Sequence, residues 1–306
     1  MDIIDRIKEK ARKVLNAEID NVVQFQNVPN NSVYKIFSDG KAYIFKIYKQ
    51  KTWPEDGKLL FVNKKLIENN IGCAKIITFD RSDDFFTNGF LIEEYLDGRT
   101  ADRISFTNEE TKNFYIILAE LISQYHKIRI MNYGYIGDGI ACYDQLSEFF
   151  NDEFDERAKK LIENSMWEAS DIADIKEIFL DKMRMCDYLP SVLCHGDLST
   201  KNVLVNEEGD FTLIDWDDAI SYNWIADVAR MTFWMKLNYS EKEAAEYKEI
   251  FLDHYSTQED KSVFYRFENA FHVYFGLDYM NYYIGAPQYD IVKKFFTEAV
   301  DKLYAQ

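Results

Sequence analysis

The stretch that decides the fold runs Cys194-His195-Gly196-Asp197-Leu198-Ser199-Thr200-Lys201-Asn202, then Val203-Leu204-Val205, a polar turn Asn206-Glu207-Glu208-Gly209-Asp210, and Phe211-Thr212-Leu213-Ile214-Asp215-Trp216. Two short β-prone runs around a glycine-containing turn predict a hairpin. Such a hairpin folds back on itself, so Asn202 at the start of one strand and Asp215 at the end of the other are expected side by side. Two oxygen-bearing side chains then converge, with Asp197 a few residues upstream.

That set suits phosphoryl transfer, which asks little covalent work of a protein but needs a hard cation held among phosphate oxygens. Mg²⁺ prefers carboxylate and amide oxygens, which Asn202 and Asp215 supply. An attacking hydroxyl also needs a base to orient it and take its proton, and Asp197 fits that task. A lysine on a strand completes the arrangement by donating to phosphates, and Lys46 in Tyr43-Ile44-Phe45-Lys46 is so placed.

Outward from the hairpin, the chain divides by character. Apolar residues at helical spacing predict a helix over Ile3 to Leu15. Val33 to Phe37 and Ala42 to Tyr48 read as strands joined through Asp39-Gly40, a hairpin signal. A helix is expected between Lys58 and Asn70, then strands over Lys75 to Asp80 and Gly89 to Tyr95. Beyond Leu96 helical patterns dominate. Thr107 and Glu110 form a capping box before a long apolar stripe ending near Tyr125. The expected class is therefore α+β, with a β-rich lobe over 1–96 and a mostly helical one over 97–306.

Composition narrows the functions. The 306 residues carry 36 Lys and Arg against 53 Asp and Glu, a net charge of -17, which argues against a nucleic-acid partner. An acidic surface attracts cationic small molecules, although solubility alone explains such a charge equally well. No run approaches the roughly 20 apolar residues of a membrane span, and the charged N-terminal segment is unlike a signal peptide. A cytoplasmic monomer is expected. Cys73, Cys142, Cys186 and Cys194 show no metal or disulfide spacing and read as free thiols.

The segment from Cys194 to Asn202 with Leu213-Ile214-Asp215-Trp216 resembles the catalytic loop and metal-binding segment of aminoglycoside phosphotransferases. Phe90 to Thr100 is similar to the hinge of that family, and Leu118 to Ile128, with His126, to the helix before its catalytic loop. Gly134 to Gly139 and the run from Asp215 through Asp227 to Trp234 are closest in kind to hygromycin phosphotransferases. The resemblance implies a bilobal, protein-kinase-like fold that binds ATP or GTP with Mg²⁺ between its lobes and transfers phosphate to an aminoglycoside hydroxyl, an antibiotic-resistance activity. It carries over Asp197 as base, Asn202 and Asp215 as metal ligands, and Lys46 as the phosphate lysine. Ser32, Glu94 and Leu96 fall at nucleotide contacts, with His195 and Asp227 as supports of the loop.

Two features depart from the pattern. Val28-Pro29-Asn30-Asn31-Ser32, where a glycine-rich loop is usual, has no glycine, and the helix expected to pair a glutamate with Lys46 offers only Glu55 and Glu68 nearby. Asp217, Asp218, Glu268 and Asp278 are the acids considered for a cationic substrate, against the plainer reading of Glu268 and Asp278 as solvated helix positions. His126 reads as a core histidine, and the aromatic run Phe264 to Tyr283 chiefly as core. The same motifs would also serve a kinase of choline or another small hydroxyl compound, or a silent pseudokinase.

Overall fold

The computed structural model describes residues 2–26 and 30–305. In chain order the elements are α1 (Ile3–Leu15), β1 (Asn21–Gln24), β2 (Ser32–Ser38), β3 (Lys41–Ile47), α2 (Lys58–Glu68), β4 (Ile76–Asp80), β5 (Phe90–Glu94), β6 (Arg99–Thr100), α3 (Asn108–Tyr125), β7 (Gly134–Tyr135), α4 (Leu146–Glu163) and α5 (Ala169–Cys186). There follow β8 (Val192–Cys194), β9 (Val203–Val205), β10 (Phe211–Leu213), β11 (Ile220–Tyr222), α6 (Ile225–Asn238), α7 (Glu241–His254), α8 (Lys261–Tyr282) and α9 (Gln288–Tyr304). The class is α+β, with the sheets concentrated toward the N-terminus and the long helices after it.

Contacts group the chain into two compact units. The first is Met1–Ala101 with Gly137–Gly139 and Val203–Asp217; the second is Asp102–Ile136, Ile140–Asn202 and Asp218–Gln306. The boundary expected at 96 places the 203–217 hairpin with the helical part, whereas it belongs to the first unit. The hairpin joins the first unit because β9 pairs with β6, giving a sheet of order β10-β9-β6.

The first unit is built on a sheet of order β1-β2-β3-β5-β4, every neighbour antiparallel. Asp39 and Gly40 both take positive φ, at 50° and 73°, and close the two-residue β2–β3 turn as a twist-matched hairpin requires. Tyr34 and Ile36 on β2 turn inward at period two, and with Phe45, Phe86, Phe90 and Ile92 they bury the inner face of α1 through Ile7 and Ala11. Phe45 stacks on Phe90 at 5.1 Å between ring centres. Asp2 caps α1 with its side chain. The expected loop Val28–Ser32 lies partly outside the described residues; Asn31 and Ser32 fall within them.

In the second unit the Thr107–Glu110 capping box closes both ways at the start of α3. A small sheet of order β7-β11-β8 leads into the Cys194 to Asn202 loop. Around it the helices share an aromatic core in which Phe150 meets Tyr274 at 4.5 Å and Tyr222 at 5.4 Å. Most of α8 is buried, which absorbs the aromatic run after Phe264.

Candidate active site

In the first unit, β3 directs Lys46 inward until its side chain is only 9% exposed. An ammonium there needs charge partners. It has two: Asp215 Oδ1 at 2.7 Å and Asp217 Oδ2 at 3.0 Å. Burial opposes the charge on Lys46, yet Asp215 and Asp217 outweigh it and hold its pKa well above the ordinary lysine value. The two acids differ in setting. Asp215 is 50% exposed, whereas Asp217 is 3% exposed and also accepts from Tyr48 Oη at 3.2 Å. Asn31 Nδ2 reaches Asp217 Oδ2 at 3.5 Å, and Lys58 Nζ donates to the Asp217 carbonyl at 3.3 Å. Asp217 is thus the buried ion-pair partner of Lys46, which no glutamate of α2 supplies. Glu55 pairs with Lys58 and Glu68 with Lys64 and Lys65 instead.

Asp215 holds its position with φ at 62°, a left-handed conformation that costs a non-glycine residue on the order of 1 kcal/mol and is best tolerated by Asp and Asn. Lys46, Asp215, Asp217 and Glu93 line one narrow cavity, walled on its apolar side by Leu59, Val62 and Leu91. Burial pushes the Glu93 carboxyl up to about 7; Lys46 pulls against this, while Asp217 and Asp215 add to it. At the end of β5, Glu94 N–H donates to Lys75 O at 3.0 Å and Tyr95 N–H to Ala42 O at 3.2 Å. The Leu96 N–H takes no backbone carbonyl among the described residues. Ser32 opens β2 opposite Ile47.

In the second unit, the loop after β8 is fixed from below by Asp227 at the start of α6. Its carboxylate accepts from His195 N at 2.6 Å, Gly196 N at 3.1 Å and Tyr125 Oη at 2.9 Å, with His126 Nε2 at 3.3 Å. Burial would raise the Asp227 pKa, but the hydrogen bond and charge of His126, with His195 behind them, hold it down at about 2. His126 Nδ1 meets Tyr255 Oη at 2.7 Å, so the ring is a satisfied core histidine. Cys194 lies beside it, and His126, Cys194 and Asp227 cluster closely enough to suggest a metal. The Asp227 oxygens are already covered by hydrogen-bond donors, which leaves the cluster a structural role.

Gly196 sits at φ 79°, and a Cβ there would fall 1.9 Å from the Asp218 carbonyl oxygen, so only glycine allows this turn. The next residue, Asp197, donates its N–H to His195 Nδ1 at 3.3 Å. Its carboxylate remains 42% exposed, held at Oδ1 by Arg230 at 3.1 Å and at Oδ2 by Asn202 Nδ2 at 3.1 Å. Asn202 Nδ2 also reaches the Asp197 carbonyl at 2.8 Å. Both contacts engage the amide nitrogen of Asn202, which leaves its carbonyl oxygen as the end suited to a hard cation. In the first unit, half-exposed Asp215 carries carboxylate oxygen, a donor type that Mg²⁺ also favours.

The acids considered for a cationic substrate separate on burial. Glu268 is enclosed, bonded to Thr232 Oγ1 at 2.8 Å and Lys248 at 3.1 Å, and is a core ion pair rather than a substrate contact. Asp217 serves Lys46. Asp278 pairs with Arg157 and lies 3.8 Å from Arg230. Asp218 alone of the four is exposed. Arg230 and Arg157 were not anticipated; each lies over an aromatic ring at 4.5 Å, Phe275 and Tyr274 respectively. A signal for Arg230 existed: three residues after Asp227 on one helix, it shares the Asp227 face.

The pattern of the phosphotransferase enzyme family, APH, matches residues 23–264, and the chain belongs to this family. No curated protein matches it in sequence. Among solved structures, the gentamicin complex of APH(2″)-IIa is similar with a TM-score of 0.68 at 16% identity, covering 100% of this chain and 97% of that one. A ternary complex of a thermostable APH(4)-Ia mutant with ADP and hygromycin B gives 0.64 at 14% identity over 98% and 97%. Choline kinase LicA from Streptococcus pneumoniae gives 0.64 at 16% identity over 99% of both chains. At these identities the likeness speaks for the fold, a kinase-like one. Among the described residues no helix is long and apolar enough to cross a membrane.

Proposed function

We propose that the chain is a nucleotide-dependent O-phosphotransferase that moves the terminal phosphoryl group of ATP or GTP onto a hydroxyl of an aminoglycoside. The observation that carries the reaction type is Asp197: an exposed carboxylate oriented at both oxygens by Asn202 and Arg230. The acceptor hydroxyl attacks the terminal phosphorus, the bond to the bridging oxygen breaks, the nucleoside diphosphate leaves, and Asp197 takes the hydroxyl proton. Asn202 and Asp215 would hold Mg²⁺, which neutralises phosphate charge when bound. Lys46 uses two of its three N–H donors on Asp215 and Asp217 and keeps one for a phosphate oxygen. Leu96 N–H is the backbone donor for the base, with Glu94 two residues before it, and Ser32, at the other end of the sheet opposite Ile47, is assigned to the phosphate side of the nucleotide.

Support for an aminoglycoside comes from the family, from solved relatives holding hygromycin B and gentamicin, and from the net charge of -17. The pairing of Asp278 with arginine and the burial of Glu268 reduce the acids available to ammonium groups. That favours, as the second reading, an acceptor with one cationic group, such as choline. Coupled release of nucleoside diphosphate across aminoglycosides, choline and neutral sugars separates the two. Turnover with choline and with no aminoglycoside replaces the first reading by the second; no acceptor-dependent turnover removes both.

A further inference from the structure

Within the helical unit, away from Asp197, a cavity of about 370 Å³ lies among α6, α7 and α9. Four lysines line it, Lys236, Lys248, Lys294 and Lys302, against two glutamates, Glu241 and Glu298. In a chain of net charge -17 this concentration of cations opposes the general field.

The pairing inside the cavity shows what is missing. Lys248 is matched by Glu268 at 3.1 Å and Lys294 by Glu298 at 3.7 Å. Among the described residues no carboxylate lies within ion-pair distance of Lys236 or Lys302. The Lys236 ammonium is part-buried and touches the Nδ1 of His272 at 3.3 Å. That imidazole is neutral, since burial, with Lys236 beside it, pulls its pKa down to about 3. Burial also lowers the Lys236 pKa, and Lys302 and Lys248 add to this, while Glu268 and, more weakly, Glu298 oppose it. Two lysines thus face one space without an ion-pair partner of their own, with Glu241 the one lining carboxylate likewise unpaired among the described residues. Of the two it is the part-buried Lys236 whose ammonium is costly without a close counter-charge.

We propose that this cavity is an anion site for a small molecule carrying at least two negative charges, as phosphate or as paired carboxylates, with Lys236 and Lys302 as its principal contacts. The volume is that of a metabolite-sized pocket, larger than a single ion needs. The ligand would sit where the protein's own charges leave an unmet positive potential.

The test is calorimetric titration of the full chain at ~0.05 M salt, without divalent metal, with pyrophosphate, citrate and, as neutral control, glycerol. Hydrogen exchange then locates any binding. Saturable binding of pyrophosphate or citrate is expected, weakened roughly tenfold by Lys236→Gln and by Lys302→Gln, the loss of one charge-assisted contact. Protection should fall in 232–248 and 294–302. Lys302 is exposed, so its variant reports even if Lys236→Gln folds poorly. Pyrophosphate alone marks a phosphate ligand; citrate binding as well marks any dianion of that size. No saturable binding, binding unchanged in the Lys302 variant, or protection confined to 31–58 and 203–217 overturns the proposal.

Discussion

Lys46 Nζ and Asp217 Oδ2 lie 3.0 Å apart with both side chains buried. Asp217→Ala leaves Lys46 with Asp215 alone and takes an acceptor from the buried Tyr48 hydroxyl and the Asn31 amide, so it is expected to destabilise by about 1 to 3 kcal/mol. Asp215→Gly removes the exposed partner and relieves the left-handed φ. Its stability should change by no more than about 1 kcal/mol while phosphotransfer is lost. Urea unfolding alongside turnover measures both; equal stability losses would show that the two acids share one role.

Glu93 gives a pH signature. Its folded pKa of about 7 lies above the ordinary glutamate value, so the folded state binds the extra proton and stability falls as pH rises between about 4.5 and 7. The penalty is fully present above pH ~7, on the order of 3 kcal/mol. Glu93→Gln should accordingly raise the melting temperature at pH 8 and leave it nearly unchanged below pH 4.5. A uniform shift at both pH values would show that burial does not raise the Glu93 pKa above its ordinary value.

Asp227 has the opposite sign. With its folded pKa held at about 2, its stabilisation is present above the unfolded value near 3.9 and is lost as pH falls toward 2, about 2 kcal/mol in all. Asp227→Asn should flatten that acid limb and also loosen the His195–Gly196 backbone, with a large fall in turnover. Acid titrations followed by circular dichroism check the first effect and steady-state kinetics the second.

Much of this was legible before any coordinates. The Asp39-Gly40 turn, the Thr107–Glu110 box and the order Asp197, Asn202, Asp215 state their structures in local chemistry. What escaped depends on partners remote in sequence. Asp217 reads as one of two acids in a polar turn, and only Lys46, 171 positions earlier, makes it a core residue. Glu268 looks solvated until Lys248 on α7 is set beside it. Arg230 lacks meaning until Asp197 lies against it, since an arginine on an apolar helix face is as well explained by its packing on Phe275.

Arg230 should act on orientation. Its contact with Asp197 Oδ1, itself backed by Asp278 at 3.8 Å, fixes the carboxylate. Arg230→Met is expected to lower kcat by roughly 10- to 100-fold with KM for nucleotide little changed, and Arg230→Lys to recover part of the loss. A change confined to KM would make Arg230 a binding residue instead.

In the proposed reaction Asp197 takes the proton from an acceptor hydroxyl during phosphoryl transfer. The direct measurement is acceptor-dependent release of nucleoside diphosphate by the wild-type chain and by Asp197→Asn, with nucleotide affinity determined in parallel. A fall of about 10²- to 10⁴-fold in turnover is expected, with affinity retained. Turnover within a few-fold of wild type would contradict it.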